Sequence, residues 1–189
     1  MSLVDLIAQA DERGLAASGL ACLDRCMPLL SDDDQVLRPL WASLVVDGDW
    51  GGRLEKVRAA LDATGPQGSA EDEGALLVRR MIDTAPPKRT ADETREWADA
   101  CSVAALRIHQ LLDPAEGGTG PAGDSVDSPR EGRTEGMSPL VAAELRRQTT
   151  VLELLAEHGR GGLRSALQVS TEGRRVLRAV VSRRARVRG

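Results

Sequence analysis

Cys22 and Cys26 stand one helical turn apart in "ACLDRCM", a spacing that lets two sulfurs share a metal ion. A closed tetrahedral zinc site draws on a second close pair, and the other soft ligands, Cys101, His109 and His158, provide none. Cys26 and Cys101 therefore read as small apolar residues in helix seams. His109 and Asp113, at i and i+4, have the spacing of a base and the carboxylate that orients it. No Ser or Cys is placed by sequence to be their nucleophile, so they read as a solvated helix pair.

Two further strings imitate ligand loops. "DGDWGG", residues 47–52, begins like a calcium loop, with Asp47, Asp49 and Gly52 at loop positions 1, 3 and 6. Position 5 is Gly51, which has no ligand, and position 12 is Arg58 where a bidentate Glu is needed. A turn between helices is the expectation. "GTGPAG", residues 118–123, satisfies G-x-G-x-x-G, but a helical pattern precedes it and Pro121 interrupts it. The strand and following helix that would aim backbone N–H groups at a pyrophosphate are missing. "SDDD", residues 31–34, reads as a helix start, with Ser31 as cap and three carboxylates on the positive end of the dipole. Nothing assembles a nucleophile, a base and oxyanion donors. The expectation is a protein that is not an enzyme, with no cofactor and no metal.

The stronger signal is charge. Residues 1–137 carry 14 Lys and Arg against 25 Asp and Glu, a net of −11, whereas residues 138–189 carry 11 Arg against 4 Glu, a net of +7. The chain closes on "EGRRVLRAVVSRRARVRG", with seven arginines and one glutamate. At helical spacing Val176, Leu177, Val180, Val181 and Val187 share a face, and Arg174, Arg175, Arg178, Arg183 and Arg186 spread over the flanks and far side. This is a basic amphipathic helix.

The elements that must position these residues are helical. Leu and Ala dominate, Ile occurs only at 7, 82 and 108, and Phe and Tyr are absent, which disfavours strands. Helical spacing appears over about 3–12 after a Ser2 cap, about 15–30, and a stretch carrying Leu37, Leu40, Trp41, Leu44 and Val45 in which Pro39 kinks or restarts the helix. It recurs over about 52–63, about 71–84 and about 91–112. In the last of these Trp97, Cys101, Ala104, Ile108 and Leu111 form a heptad seam that could face its own bundle or a second copy. Ser138-Pro139 opens another helix, which runs to Gly159. "GRGG" then turns the chain into one or two final helices over 163–187. Between these parts, residues 114–137 hold six Gly and three Pro with almost no large apolar groups, and read as a flexible linker.

The expected architecture is all-α: an acidic helical bundle over 1–113, a linker over 114–137 and a basic helical segment over 138–189. Asp5 and the lack of an early cation argue against a secretory signal, and no uncharged apolar run approaches the roughly 18 residues of a membrane span. An odd number of cysteines does not make a disulfide framework, so a cytoplasmic location with reduced thiols is expected. Arg in place of Lys, with no Asn, is the usage of a GC-rich bacterial coding sequence.

The function expected is that of an interaction or regulatory protein. Arg174, Arg175, Arg178, Arg183 and Arg184 would contact an acidic protein surface, either the chain's own N-terminal part or another protein, by reversible docking of the basic helix. The rival is a nucleic-acid-binding regulator using the same arginines, whose phosphate contacts would be strongly salt-dependent. Oligomeric state stays open.

Overall fold

The computed structural model describes residues 1–63, 72–113 and 126–189. The described elements are α1 (Leu3–Gln9), α2 (Glu12–Cys26), a 3-10 turn (Met27–Leu29), α3 (Arg38–Val45), α4 (Trp50–Ala63), α5 (Glu73–Asp83), α6 (Ala91–Leu112), α7 (Asp127–Arg130), α8 (Pro139–His158), a second 3-10 turn (Gly159–Gly162) and α9 (Leu163–Arg188). The all-α class is as expected, and no strand occurs among the described residues.

Local chemistry explains most boundaries. Ser2 and Asp5 close a reciprocal capping box on α1, the Ser2 hydroxyl accepting from Asp5 N–H and the Asp5 carboxylate accepting from Ser2 N–H. Asp11, Asp72 and Thr90 cap α2, α5 and α6 by the same physics. Pro139 is pre-set for the first turn of α8, and Gly159, at φ +53, ends that helix in a conformation that costs glycine little. "SDDD" departs from the expectation. α3 starts only at Arg38, with Pro39 in its first turn and no side-chain cap. Ser31 instead accepts from Asp33 N–H, and Asp33 from Gln35 N–H, which makes a turn.

α2 is the axis of the molecule. From Gly14 to Cys26 every residue is buried. Its small residues, among them Ala16, Ala17, Gly19 and Ala21, let neighbouring helices close in on all sides. α6 packs along it, with Trp97 lying on Gly19, where a Cβ would come within 2.6 Å of the indole. Trp97 meets Trp50 edge to face at 5.9 Å, and each indole N–H reaches a backbone carbonyl, that of Met81 and that of Pro86 respectively. The heptad seam of α6 faces this bundle through Trp97, Cys101 and Ile108. The helix also buries Ala98, Ala105, Leu106 and His109 on other sides.

One core joins the acidic and basic parts. Leu20, Trp97 and Ile108 belong to the same apolar cluster as Val151, Leu163, Ala166 and Leu177. A second cluster sets α1 against α6 and α8 through Leu3, Ile7, Leu106 and Leu145. The divide between 1–113 and 138–189 is thus one of charge and not of core. Residues 114–125, with "GTGPAG", lie outside the described residues. The rest of the expected linker, 126–137, is corrected. It contains α7, whose Arg130 is buried, donates from Nε to the Ser102 hydroxyl at 3.1 Å and pairs with Asp99. The buried Arg130 anchors the segment together with Val126 and Met137, which pack against the second apolar cluster.

Candidate interaction site

α9 buries Leu163, Ala166, Ser170, Gly173, Arg174 and Leu177, a stripe at helical spacing. At its centre Gly173 leaves room for Arg25. A Cβ there would overlap Arg25 Cδ and approach Arg147 Cδ to 3.0 Å. The helix is therefore seated in the core and not held at arm's length, and its release as a unit would expose that stripe to water.

The five arginines singled out in the sequence divide into two groups. Arg174 pairs with the buried carboxylate of Asp24, which also accepts from Trp41 Nε1 at 3.0 Å, and its Nε lies 3.4 Å from Asp34. Arg178 donates to Asp34 at 2.6 Å, and Arg184 donates to the carbonyl of Leu111 near the end of α6 at 3.1 Å. Burial pushes the Asp24 carboxyl above its ordinary range despite Arg174 and Trp41, whereas the Arg178 hydrogen bond holds Asp34 below it. These three arginines are engaged within the fold, although Arg178 Nε is buried without an acceptor among the described residues. Arg175 and Arg183 point to solvent and form no ion pair among the described residues.

Two more arginines share that outer face. Arg164, Arg175 and Arg186 are each 11 residues apart, close to three helical turns, and all three are exposed. They make a straight row with about 16 Å between members. Arg164 escaped the reading of the tail because it precedes "EGRRVLR", although the 11-residue spacing is visible in the sequence. The apolar face is less complete than expected: Leu177 is fully buried, Val180 and Val181 are partly so, and Val176 and Val187 are exposed.

The candidate base sits elsewhere. His109 Nδ1 lies 2.7 Å from the Ala105 carbonyl, so that nitrogen carries the proton, and Nε2 faces Glu144 at 3.6 Å. Asp113 is not its orienter, since its carboxylate accepts from Leu140 N–H at the start of α8. Glu144 is gripped by Arg25 through Nε at 2.8 Å and Nη2 at 2.7 Å, and accepts from Gln148, which reaches Ser102 in turn. Arg25, Glu144 and His109 are all buried. Cys22, Cys26 and Cys101 are buried as well. Burial pushes the Cys22 thiol up to about 12, and such a thiol is a poor nucleophile at neutral pH. Among the described residues no group of three or more His, Cys, Asp or Glu side chains is arranged to hold a metal ion.

A groove of about 610 Å³ opens between α5 and α6, floored by Leu77, Met81, Trp97 and Cys101 and edged by Arg80 and Glu96. None of its lining residues belongs to α9, and His109 does not reach it. No described helix is long and apolar enough to cross a membrane. No protein-family model matches the chain, and neither a curated protein nor a solved structure matches it, so the chemistry of the site alone carries the functional reading.

Proposed function

We propose that this chain is a non-enzymatic helical interaction protein that presents the outer arginine face of α9 to an acidic surface on a partner protein. Arg175 and Arg183 are its central contacts, with Arg164 and Arg186 extending the row. The observation that carries this reading is the division of labour on one helix. Arg174, Arg178 and Arg184 are matched to Asp24, Asp34 and a carbonyl inside the fold, while Arg164, Arg175 and Arg183 are exposed and make no ion pair among the described residues, Arg175 feeling Asp34 only at longer range. Guanidinium groups held on a seated helix lose little freedom when they meet planar carboxylates. The inner arginines keep the helix in place and serve binding only indirectly.

Capture from cell extract with the full chain, compared with an Arg175→Glu/Arg183→Glu/Arg186→Glu variant, tests the reading. The expected result is loss of a protein whose purified form binds the wild type directly and whose contact surface is acidic. Titration of labelled duplex DNA separates the rival. Arginine-dependent binding that weakens steeply with salt would assign the same face to phosphate backbone.

A further inference from the structure

A second arginine cluster surrounds the turn that imitates a calcium loop. Asp47, between α3 and α4, has φ +48 and is the one described residue other than glycine with positive φ. Its carboxylate is met by Arg13 Nη2, from the first turn of α2, at 2.5 Å and by Arg160 Nη2, from the glycine-rich turn after α8, at 2.8 Å. Arg89, just before α6, brings Nη2 to 3.9 Å, holds Glu12 through Nε at 3.2 Å and stacks 5.8 Å from the Trp50 ring centre. Segments around residues 13, 89 and 160 thus converge on one loop carboxylate.

The donors outnumber what that carboxylate can satisfy. Three guanidinium charges face Asp47 and Glu12. The N–H groups of Arg13 Nε and Arg89 Nη1 are buried and find no acceptor among the described residues, and Glu12 Oε1, although 3.2 Å from Arg89 Nε, is likewise buried without a hydrogen bond of good geometry. The opposite side is open, with Asp47 and Arg160 each about half exposed. Arg160 sits beside Gly159 and Gly161, where an added Cβ would meet nothing within 4 Å, so the turn does not wall the site off. A tetrahedral dianion brings a third oxygen and a second charge to such a set of forks, which a carboxylate cannot.

We propose that Arg13, Arg89 and Arg160 form a binding site for a phosphate dianion, free or as a monoester, and that Asp47 is its tethered occupant, displaced when the ligand binds. Arg13 and Arg160 supply the direct forks. Arg89, fixed by Glu12 and Trp50, supplies the third charge. The strained backbone at Asp47 holds the carboxylate over the site and lets it swing out with the loop.

The test is titration of the full-length protein with inorganic phosphate and separately with O-phosphoserine, at constant ionic strength set with chloride, followed by NMR or calorimetry. The expected result is saturable binding of phosphate, at least about threefold tighter in Asp47→Asn, where the internal competitor is gone, and about tenfold weaker in Arg160→Gln. Arg160 is half exposed, so that variant keeps its fold, and thermal melts verify this. Tighter binding of O-phosphoserine than of inorganic phosphate would identify a monoester as the ligand, and the reverse order free phosphate. Equal responses to phosphate and chloride, or no phosphate binding by Asp47→Asn below about 10 mM, would overturn the proposal and leave the cluster a structural clasp.

Discussion

Arg25 and Glu144, 119 residues apart, meet as a two-pronged ion pair whose side chains are both wholly shut off from water. Taking each charge out of water is costly, and the pair persists because its geometry is good and Gln148 occupies a further lone pair of the carboxylate. The attraction of Arg25 keeps the Glu144 carboxyl below its ordinary range although burial pushes the other way.

Breaking that pair on one side is expected to be severe. Glu144→Gln leaves the Arg25 charge buried and uncompensated, at a cost of about 3–5 kcal/mol. Arg25→Met/Glu144→Leu removes both charges and should recover most of the loss, because apolar groups of similar size carry no desolvation penalty. Urea unfolding followed by circular dichroism at pH 7.5 measures both. A double variant as unstable as Glu144→Gln would mean that packing, and not charge, dominates at this site.

Arg174 and Asp24 should behave differently. Arg174→Met also strands a buried carboxylate, but Asp24 already sits above its ordinary range and can take up a proton. The cost is expected to be about 1–3 kcal/mol at pH 7.5 and to shrink on acidification, as a neutral Asp24 no longer needs the cation. Urea midpoints at pH 7.5 and pH 5 test this. An unchanged penalty across that range would count against it.

His109 gives stability an acid limb. Burial holds its imidazole below the ordinary 6.5, outweighing the pull of Glu144, while Arg25 and Arg147 reinforce the shift. Below pH 6.5 the unfolded chain therefore binds a proton that the native one refuses, and stability falls as pH drops from there toward the folded value. Glu144, with its pKa lowered, adds a further loss once pH falls below about 4.5, its ordinary value. Asp24, with its pKa raised, runs the other way above 3.8 and offsets part of the fall. The slope of unfolding free energy between pH 7 and 5.5 should flatten in His109→Gln, whose amide can still donate to Ala105.

Two glycines are predicted to be irreplaceable for packing reasons. Gly19→Ala forces a methyl into the Trp97 ring and Gly173→Ala into the Arg25 stem, each costing about 1–3 kcal/mol. Gly161→Ala, with open space around its Cβ, should be neutral or gain up to about 1 kcal/mol from a stiffer unfolded chain. Thermal melts of the three rank the effects.

What could be read in the sequence was what neighbours in the chain decide. Composition disfavoured strands, the Ser2 cap and the seam of 91–112 were visible from spacing, and Gly159 with Ser138-Pro139 bounded α8, because caps and helical faces depend on residues within a turn or two. The partition of the tail was not visible. Nothing local distinguishes Arg174, sunk against Asp24, from Arg175 beside it, since a rotation of 100° about the helix axis decides which meets the core. Nor could Arg25 announce Glu144, or Asp47 gather Arg13, Arg89 and Arg160, because those encounters are made by helices that pack across the molecule. Local sequence determined that the chain is helical and where its charge lies; only the closing of the core decided which charges are spent inside it and which remain exposed at the surface.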